Sequence, residues 1–305
     1  MLSIVICSVN TGYLSDVTEN IRSTIGIEFE LLVWDNRQSN TGLCEVYNKM
    51  AEKARFPYIC FLHEDILFTT KDWGLVLTDL FRRKPQAGII GLAGGKYKSR
   101  MYSGWYTGQE DLDCFNITHR IDGRDEKMIQ PRTGGASEHK VVCVDGVLIC
   151  CSRQAWEEVR FDEQILKGFH FYDIDFSLRA ARQYEIWVTM KIDLIHITKG
   201  GDYGDNWVRE AMHYHNKTKE PLPQYERTTI TERRAGNVEL KVAAQWLDWL
   251  KVQKISLSNK MKWLIGQGLY RWPSLWYPTL KFLLYRPLGL KKIHLRSLKR
   301  SHNTS

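Results

Sequence analysis

No stretch of the 305-residue chain reaches the ~18 uninterrupted apolar residues of a membrane span. The start, Met1-Leu-Ser-Ile-Val-Ile-Cys7, has no basic region and too short an apolar run for a secretory signal, so a cytoplasmic protein is expected. Cysteine pairs are also missing. The seven thiols (Cys7, Cys44, Cys60, Cys114, Cys143, Cys150 and Cys151) are odd in number and form no C-x-x-C pair. Several sit in apolar runs, where a free thiol behaves as a small hydrophobe. They are expected to be reduced, which suits the same compartment and leaves the glycosylation patterns at Asn116 and Asn216 without meaning. Acids are absent from residues 249–305, which hold 12 of the 43 Lys and Arg and none of the 35 Asp and Glu. The formal charge of +8 therefore belongs to a tail, and the rest of the chain is slightly acidic.

What is present is most informative at Phe61-Leu-His63-Glu64-Asp65, which closes the apolar run beginning at Tyr58. Two acids at the end of so hydrophobic a strand are costly to bury unless paired or bound to a metal. In open α/β sheets, ligands bind outside the carboxyl ends of the strands, where such a strand would deliver its acids. Oxygen donors there suit Mg²⁺ or Mn²⁺ carrying a diphosphate. The plainer alternative is that Glu64 and Asp65 only cap a following helix.

The flanking pattern extends this logic. Ser3–Cys7 predicts a buried strand followed by a loop with Asn10 and Gly12, and Phe29–Trp34 a second strand ending on Asp35-Asn36. Leu43, Val46, Tyr47, Met50, Ala51 and Ala54 make one helical stripe, with Asn40 or Thr41 as its N-cap. A helix is expected over Trp73–Arg83 and a buried strand over Ala87–Ala93. Residues 94–140 show no regular period; so long a stretch is usually functional or mobile, and Trp105 is a further candidate within it. Val141–Cys151 reads as one strand with a kink at Gly146, followed by a helix over Arg153–Val159. Phe169 to about Tyr184 predicts a helix opening on Asp173 and Asp175, before strands at 186–190 and 192–197, the latter carrying His196. Strands alternating with helices imply βαβ units and a mainly parallel sheet. Each polar residue alone has a dull explanation. Asp35-Asn36 would serve as a turn, Asp173 as a helix cap and His196 as a hydrogen-bonded core histidine. Together they would gather along one edge of one sheet.

Over residues 3–210 the chain resembles family 2 glycosyltransferases of the GT-A fold, in the branch of small bacterial enzymes tied to surface polysaccharides such as capsule. The matching elements are Val33-Trp-Asp35-Asn36 for V-D-N, Asn40-Thr-Gly42-Leu43 for N-x-G-L, and Asn48 on the next helix. They continue with His63-Glu64-Asp65 for D-x-D, Gly146 with Arg153, Phe161-Asp162-Glu163, and Tyr172-Asp173-Ile-Asp175-Phe176 for E-D-x-D-L. The resemblance implies a mainly parallel mixed α/β sheet flanked by helices, over residues 1–225, with a helical, basic and aromatic extension over 226–305. It implies inverting, metal-dependent transfer of a sugar from a nucleotide diphosphate donor, a UDP-sugar being favoured, to a hydroxyl of a saccharide or lipid-linked acceptor. Asp173 would be the base. Asn10, Asp35, Asn36, Asn48, Glu64 and Asp65 would hold the donor, and Asp65 and His196 the Mn²⁺ or Mg²⁺ ion. His63 and Asp175 are secondary candidates, because His63 stands where the first acid of D-x-D is usual and Tyr172 where many members have Glu.

Two alternatives remain at this stage. A nucleotidyltransferase would carry a Gly-rich loop with Lys or Arg after its first strand, whereas here no basic residue precedes Arg22. A catalytically inactive binding protein of the same fold would lack hydrolysis of any nucleotide sugar. The tail interleaves eight aromatic residues with its basic ones, from Trp249 to Tyr285. That composition suits peripheral binding to an anionic membrane on the inner face of the cell membrane, or a helical cap packed on the domain. No nucleic-acid motif accompanies it.

Overall fold

The computed structural model describes residues 1–131, 136–197, 203–269, 272–277 and 279. In chain order the first half runs β1 (Leu2–Ser8), α1 (Thr11–Thr24), β2 (Phe29–Asp35), α2 (Leu43–Ala51), β3 (Tyr58–Leu62), β4 (Ile66–Phe68) and α3 (Trp73–Arg83). Then follow β5 (Ala87–Gly91), β6 (Ala93–Gly95), β7 (Tyr97–Lys98), β8 (Asp113–Ile121), β9 (Arg124–Gln130), β10 (Glu138–Val141), β11 (Cys143–Val144) and β12 (Leu148–Ser152). The remainder is α4 (Arg153–Val159), α5 (Tyr172–Ala180), β13 (Glu185–Thr189), β14 (Leu194–Ile197), α6 (Asp205–Lys217), β15 (Gln224–Tyr225), α7 (Glu232–Val252) and α8 (Leu257–Gly266).

The main sheet has the order β10-β13-β5-β12-β3-β1-β2. β1, β2 and β3 run parallel, as do β5 and β13, while β12 and β10 are antiparallel to their neighbours. Alternate residues of each strand feed the two faces. Ile4, Ile6, Cys60 and Leu62 pack with α1 and α3 residues Val17, Ile21, Trp73 and Leu77. Val5, Ile59 and Phe61 pack on the opposite face with residues of α2, α5, α6 and α7. The two-residue period of a strand sends one sequence run into two cores. A second sheet, β11-β6-β8-β14-β4, stands beside the first, with β9 added to β8.

Several sequence expectations are corrected. Asn10 opens a helix rather than a loop: its Oδ1 accepts from Gly12 N at 2.9 Å and Tyr13 N at 3.2 Å, capping α1. The N-cap of α2 is Gly42, neither Asn40 nor Thr41, and Leu43 N instead donates to Gly168 O at 3.1 Å. The 94–140 stretch contains the β8–β9 hairpin, which turns at Asp122 (φ 50°) and Gly123 (φ 76°). Positive φ at both turn positions matches the right-handed twist of the flanking strands. Six of the seven β9 residues are exposed, so the strand carries no apolar alternation by which a sequence reveals it. The run 141–151 is not one strand: its start pairs with β13 and its middle with β6, and only Leu148–Ser152 enters the centre of the main sheet. The Asp173 helix is shorter than expected, ending at Ala180.

The extension is joined to the domain core. Trp246 stacks on Trp207 of α6 with centroids 5.0 Å apart, and Trp249 sits against both rings. Trp263 of α8 is 0% exposed and donates from Nε1 to Tyr102 O at 3.0 Å. Removing a buried indole of this kind costs about 3–5 kcal/mol. Trp263→Ala should therefore shift the denaturant midpoint of the whole domain; a variant with unaltered stability would show that α8 is dispensable to the core.

Candidate functional site

β3 ends at Leu62 and its register with β1 places Ser8 and Glu64 side by side. Ser8 Oγ donates to Glu64 Oε2 at 2.6 Å, and Val9 N and Asn10 N donate to the same carboxylate at 3.1 Å. Glu64 thereby anchors the entry of α1. Its neighbour Asp65 faces two imidazoles. His196 Nε2 lies 3.4 Å and His63 Nδ1 3.9 Å from Asp65 Oδ1. One donor atom from each of His63, Asp65 and His196 lies within 4.8 Å of the others, the only such group among the described residues that could hold a metal ion. His196 reaches this point because β14 pairs with β4 on one side and with β8 on the other.

β8 also delivers His119, the in-register neighbour of His196, with ring centroids 5.5 Å apart. Burial is the largest influence on His196 and opposes its charge, but the hydrogen bond and charge of Asp65 together with the charge of Asp145 raise the pKa. Burial likewise opposes ionisation of Asp65, whose pKa is held below its ordinary value by the His196 bond and the charges of His196 and His63 together. Burial lowers His63 and His119. Two imidazoles facing one carboxylate suit a divalent cation, since imidazole and carboxylate are both established ligands of such ions.

Because β12 is antiparallel to β3, with Leu148 opposite Leu62, the residues just before β12 lie at the same sheet edge. Asp145 Oδ2 accepts from Trp105 Nε1 at 2.7 Å, and its Oδ1 from Val147 N at 2.9 Å. Gly146 N donates to Asp173 Oδ2 at 3.0 Å, and Ile174 N to Asp173 Oδ1 at 2.8 Å. Burial, reinforced by the nearby charge of Asp145, pushes the Asp173 carboxyl up to about 7. Such a carboxyl is poised to accept a proton near neutral pH.

Other candidates are placed differently. Asp175 is buried in an ion pair with Arg179 at 2.7 Å, and Arg179 also donates to Val159 O and Arg160 O. Asp175 thus fastens α5 to the end of α4. Asn48 is 3% exposed and its amide is fully engaged: it donates to Phe161 O and Glu163 Oε2 and accepts from Phe161 N and Trp156 Nε1. Asn36 folds the loop after β2, donating to Thr41 O and accepting from Ser39 Oγ and Thr41 N. Asp35 is exposed at the end of β2, where its bond to Arg37 lowers its pKa to about 2. His119 and Asp145 escaped the sequence reading. His119 lay in a stretch without recognisable period, and the direction of β12, which puts Asp145 at the edge, is not written in local sequence.

A family model described as "Glycosyltransferase like family" matches residues 3–221. The chain belongs to that family. It is a glycosyltransferase, and its mixed α/β architecture is the GT-A fold. S. aureus TarS 1–349 in complex with UDP matches with TM-score 0.53 at 10% identity, over 96% of this chain and 93% of that one. The same protein in complex with UDP-GlcNAc matches with TM-score 0.53 at 10% identity, over 87% and 79%. GalNAc-T7 with UDP, GalNAc and Mn²⁺ matches with TM-score 0.49 at 11% identity over 80% of this glycosyltransferase, which spans 54% of that chain. No curated protein matches the sequence. Among the described residues, no helix of the glycosyltransferase is long and apolar enough to cross a membrane.

Proposed function

We propose that this glycosyltransferase carries out a metal-assisted, inverting transfer from a nucleotide diphosphate sugar, a UDP-sugar being favoured, to a hydroxyl of a saccharide or lipid-linked acceptor. The reading places the reaction in surface polysaccharide or glycolipid assembly. One observation carries it: the His63, Asp65 and His196 donors share a sheet edge with a carboxyl, Asp173, whose pKa is raised to about 7.

In this reading Asp173 accepts the proton of the acceptor hydroxyl as its oxygen bonds to the anomeric carbon. The bond from that carbon to the diphosphate breaks on the opposite face, and the nucleoside diphosphate leaves with the electron pair. Asp65 and His196, with His63, would hold a divalent ion such as Mn²⁺ or Mg²⁺. Such an ion, when bound, neutralises charge on the departing diphosphate. Asp35, exposed beside the end of β1, would meet the nucleoside. Glu64, Asn10 and Asn36 would shape that pocket through the internal bonds described above, while Asn48, expected from sequence to hold the donor, would act only through the packing of α2 on Phe161 and Glu163. Trp105 would wall the acceptor side through its bond to Asp145. A panel of nucleotide sugars, assayed for transfer or hydrolysis with Mn²⁺, with Mg²⁺ and with excess chelator, tests the reading. Full activity in chelator, or no turnover of any nucleotide sugar, would sink it.

The same reading assigns catalysis to residues 1–225 and membrane proximity to 226–305. The cap alternative is supported by the burial of Trp263 and Leu264, while Leu257, Ile265, Trp276 and Tyr277 stay exposed near the exposed Lys254 and Lys262 in sequence. Residues 281–305, with Phe282 and Tyr285, lie outside the described residues. A chain ending near residue 248 would lose core residues, so the informative deletion ends at residue 280. Full-length protein should bind anionic vesicles more tightly at low salt than at high salt, since screening weakens the attraction. The shortened protein should bind them less. Equal partitioning of the two at every salt concentration would count against a membrane role for that segment.

A further inference from the structure

The two positions at which this chain departs from the family pattern touch each other. His63 Nε2 lies 3.0 Å from the Tyr172 hydroxyl. That hydroxyl also donates to Gly146 O at 3.4 Å and is hydrogen-bonded to buried Tyr47. When the tyrosine proton goes to the Gly146 carbonyl, which can only accept, its oxygen accepts from His63 Nε2–H. The other ring nitrogen, Nδ1, then keeps its lone pair, and Nδ1 is the atom turned toward Asp65. The arrangement is closely fitted. Tyr172 is 4% exposed, and a Cβ at Gly146 would stand 2.0 Å from its hydroxyl oxygen, so only glycine leaves room for it.

We infer that Tyr172 is a positioning residue that holds His63 in the tautomer able to bind a metal through Nδ1, giving a two-histidine, one-carboxylate site that prefers transition-metal ions to Mg²⁺. This rests on the reading that the His63, Asp65 and His196 cluster holds the ion. The chemistry follows from the donor set. Imidazole nitrogen favours ions such as Co²⁺, Fe²⁺ and Zn²⁺, whereas Mg²⁺ demands oxygen and gives up water reluctantly. A histidine ligand is commonly fixed by a partner on its other ring nitrogen, and losing that partner weakens metal binding by ~10–100-fold.

The test uses full-length protein and Co²⁺ or Mg²⁺ alone, then with UDP, read by calorimetric titration and by the visible absorption of bound Co²⁺. Wild type should bind Co²⁺ more tightly than Mg²⁺. Tyr172→Phe, which keeps the packed ring, should weaken Co²⁺ binding by ~10–100-fold and alter its absorption bands. His63→Asp should reduce the preference for Co²⁺ over Mg²⁺ by ~10-fold or more. Metal-free melting curves matching wild type would establish that both variants fold. Co²⁺ binding with an unchanged spectrum and affinity in Tyr172→Phe would overturn the inference while leaving metal-assisted transfer intact. Mg²⁺ bound by wild type as tightly as Co²⁺ would do the same. Failure of wild type to bind either ion, with or without UDP, would overturn both.

Discussion

Asp173→Asn should lower turnover by ~10²-fold or more, the usual scale for loss of a general base, while donor affinity stays within a few-fold of wild type. The amide keeps one acceptor oxygen for Gly146 N or Ile174 N, and α5 begins at Tyr172 with no side-chain cap to lose, so the helix should stay where it is. What it loses is the capacity to take a proton. The pH profile offers a sharper check. Burial and the Asp145 charge raise the Asp173 pKa to about 7, so the ionised, proton-accepting form grows as pH rises through that value. Activity should climb along an acidic limb centred near 7. Asp145→Asn removes a like charge and should move the limb to lower pH.

Stability carries the opposite sign. A carboxyl whose folded pKa exceeds its unfolded value favours the native state fully below the unfolded value, and that contribution is lost as pH rises through the folded one. Asp173→Asn should therefore melt no lower than wild type at pH 8. Full turnover in Asp173→Asn, with the loss appearing in Asp175→Asn instead, would remove Asp173 from the role.

Asp65→Ala should abolish the divalent-ion stimulation of donor binding. Asp65 Oδ1 is the atom that both His196 Nε2 and His63 Nδ1 approach, so its removal leaves two imidazoles with no anion between them. Loss of a direct ligand should cost at least the ~10–100-fold expected for a residue that merely supports one. The secondary structure should survive, because β3 and β4 are held by backbone pairing and by Leu62, Ile66 and Phe68 in the core. Thermal-shift titration with UDP, with and without Mn²⁺, reads the effect directly: ligand binding to the native state raises its stability. Metal-stimulated UDP binding equal to that of wild type would exclude Asp65 as a ligand.

Much of this protein is determined locally. The strand ends at Asp35 and His63-Glu64-Asp65, the helices at 73–83 and 153–159 and the acid-bearing start of α5 follow from apolar period and end signals, which act over a few residues. The missing acids after residue 248 are equally plain, though not that Trp263 is core, since composition cannot separate a packed indole from an exposed one. Tertiary structure decided the rest. The β8–β9 hairpin leaves its outer strand in water, so no hydrophobic pattern announces it, yet β8 is the strand that sets His119 beside His196. The direction of β12 is decided by pairing with β3 and β5, and only that direction brings Asp145 and Gly146 to the edge that carries His63 and Asp65. Asn48 and Asp175 look like site residues in sequence because amides and acids serve cores and sites alike; their partners, Phe161 and Glu163 for one and Arg179 for the other, make them fasteners. The meeting of His63 with Tyr172 across 109 positions of chain has the same origin. A hydrogen bond is specified by where two atoms finish in space, and local sequence constrains only where each one starts.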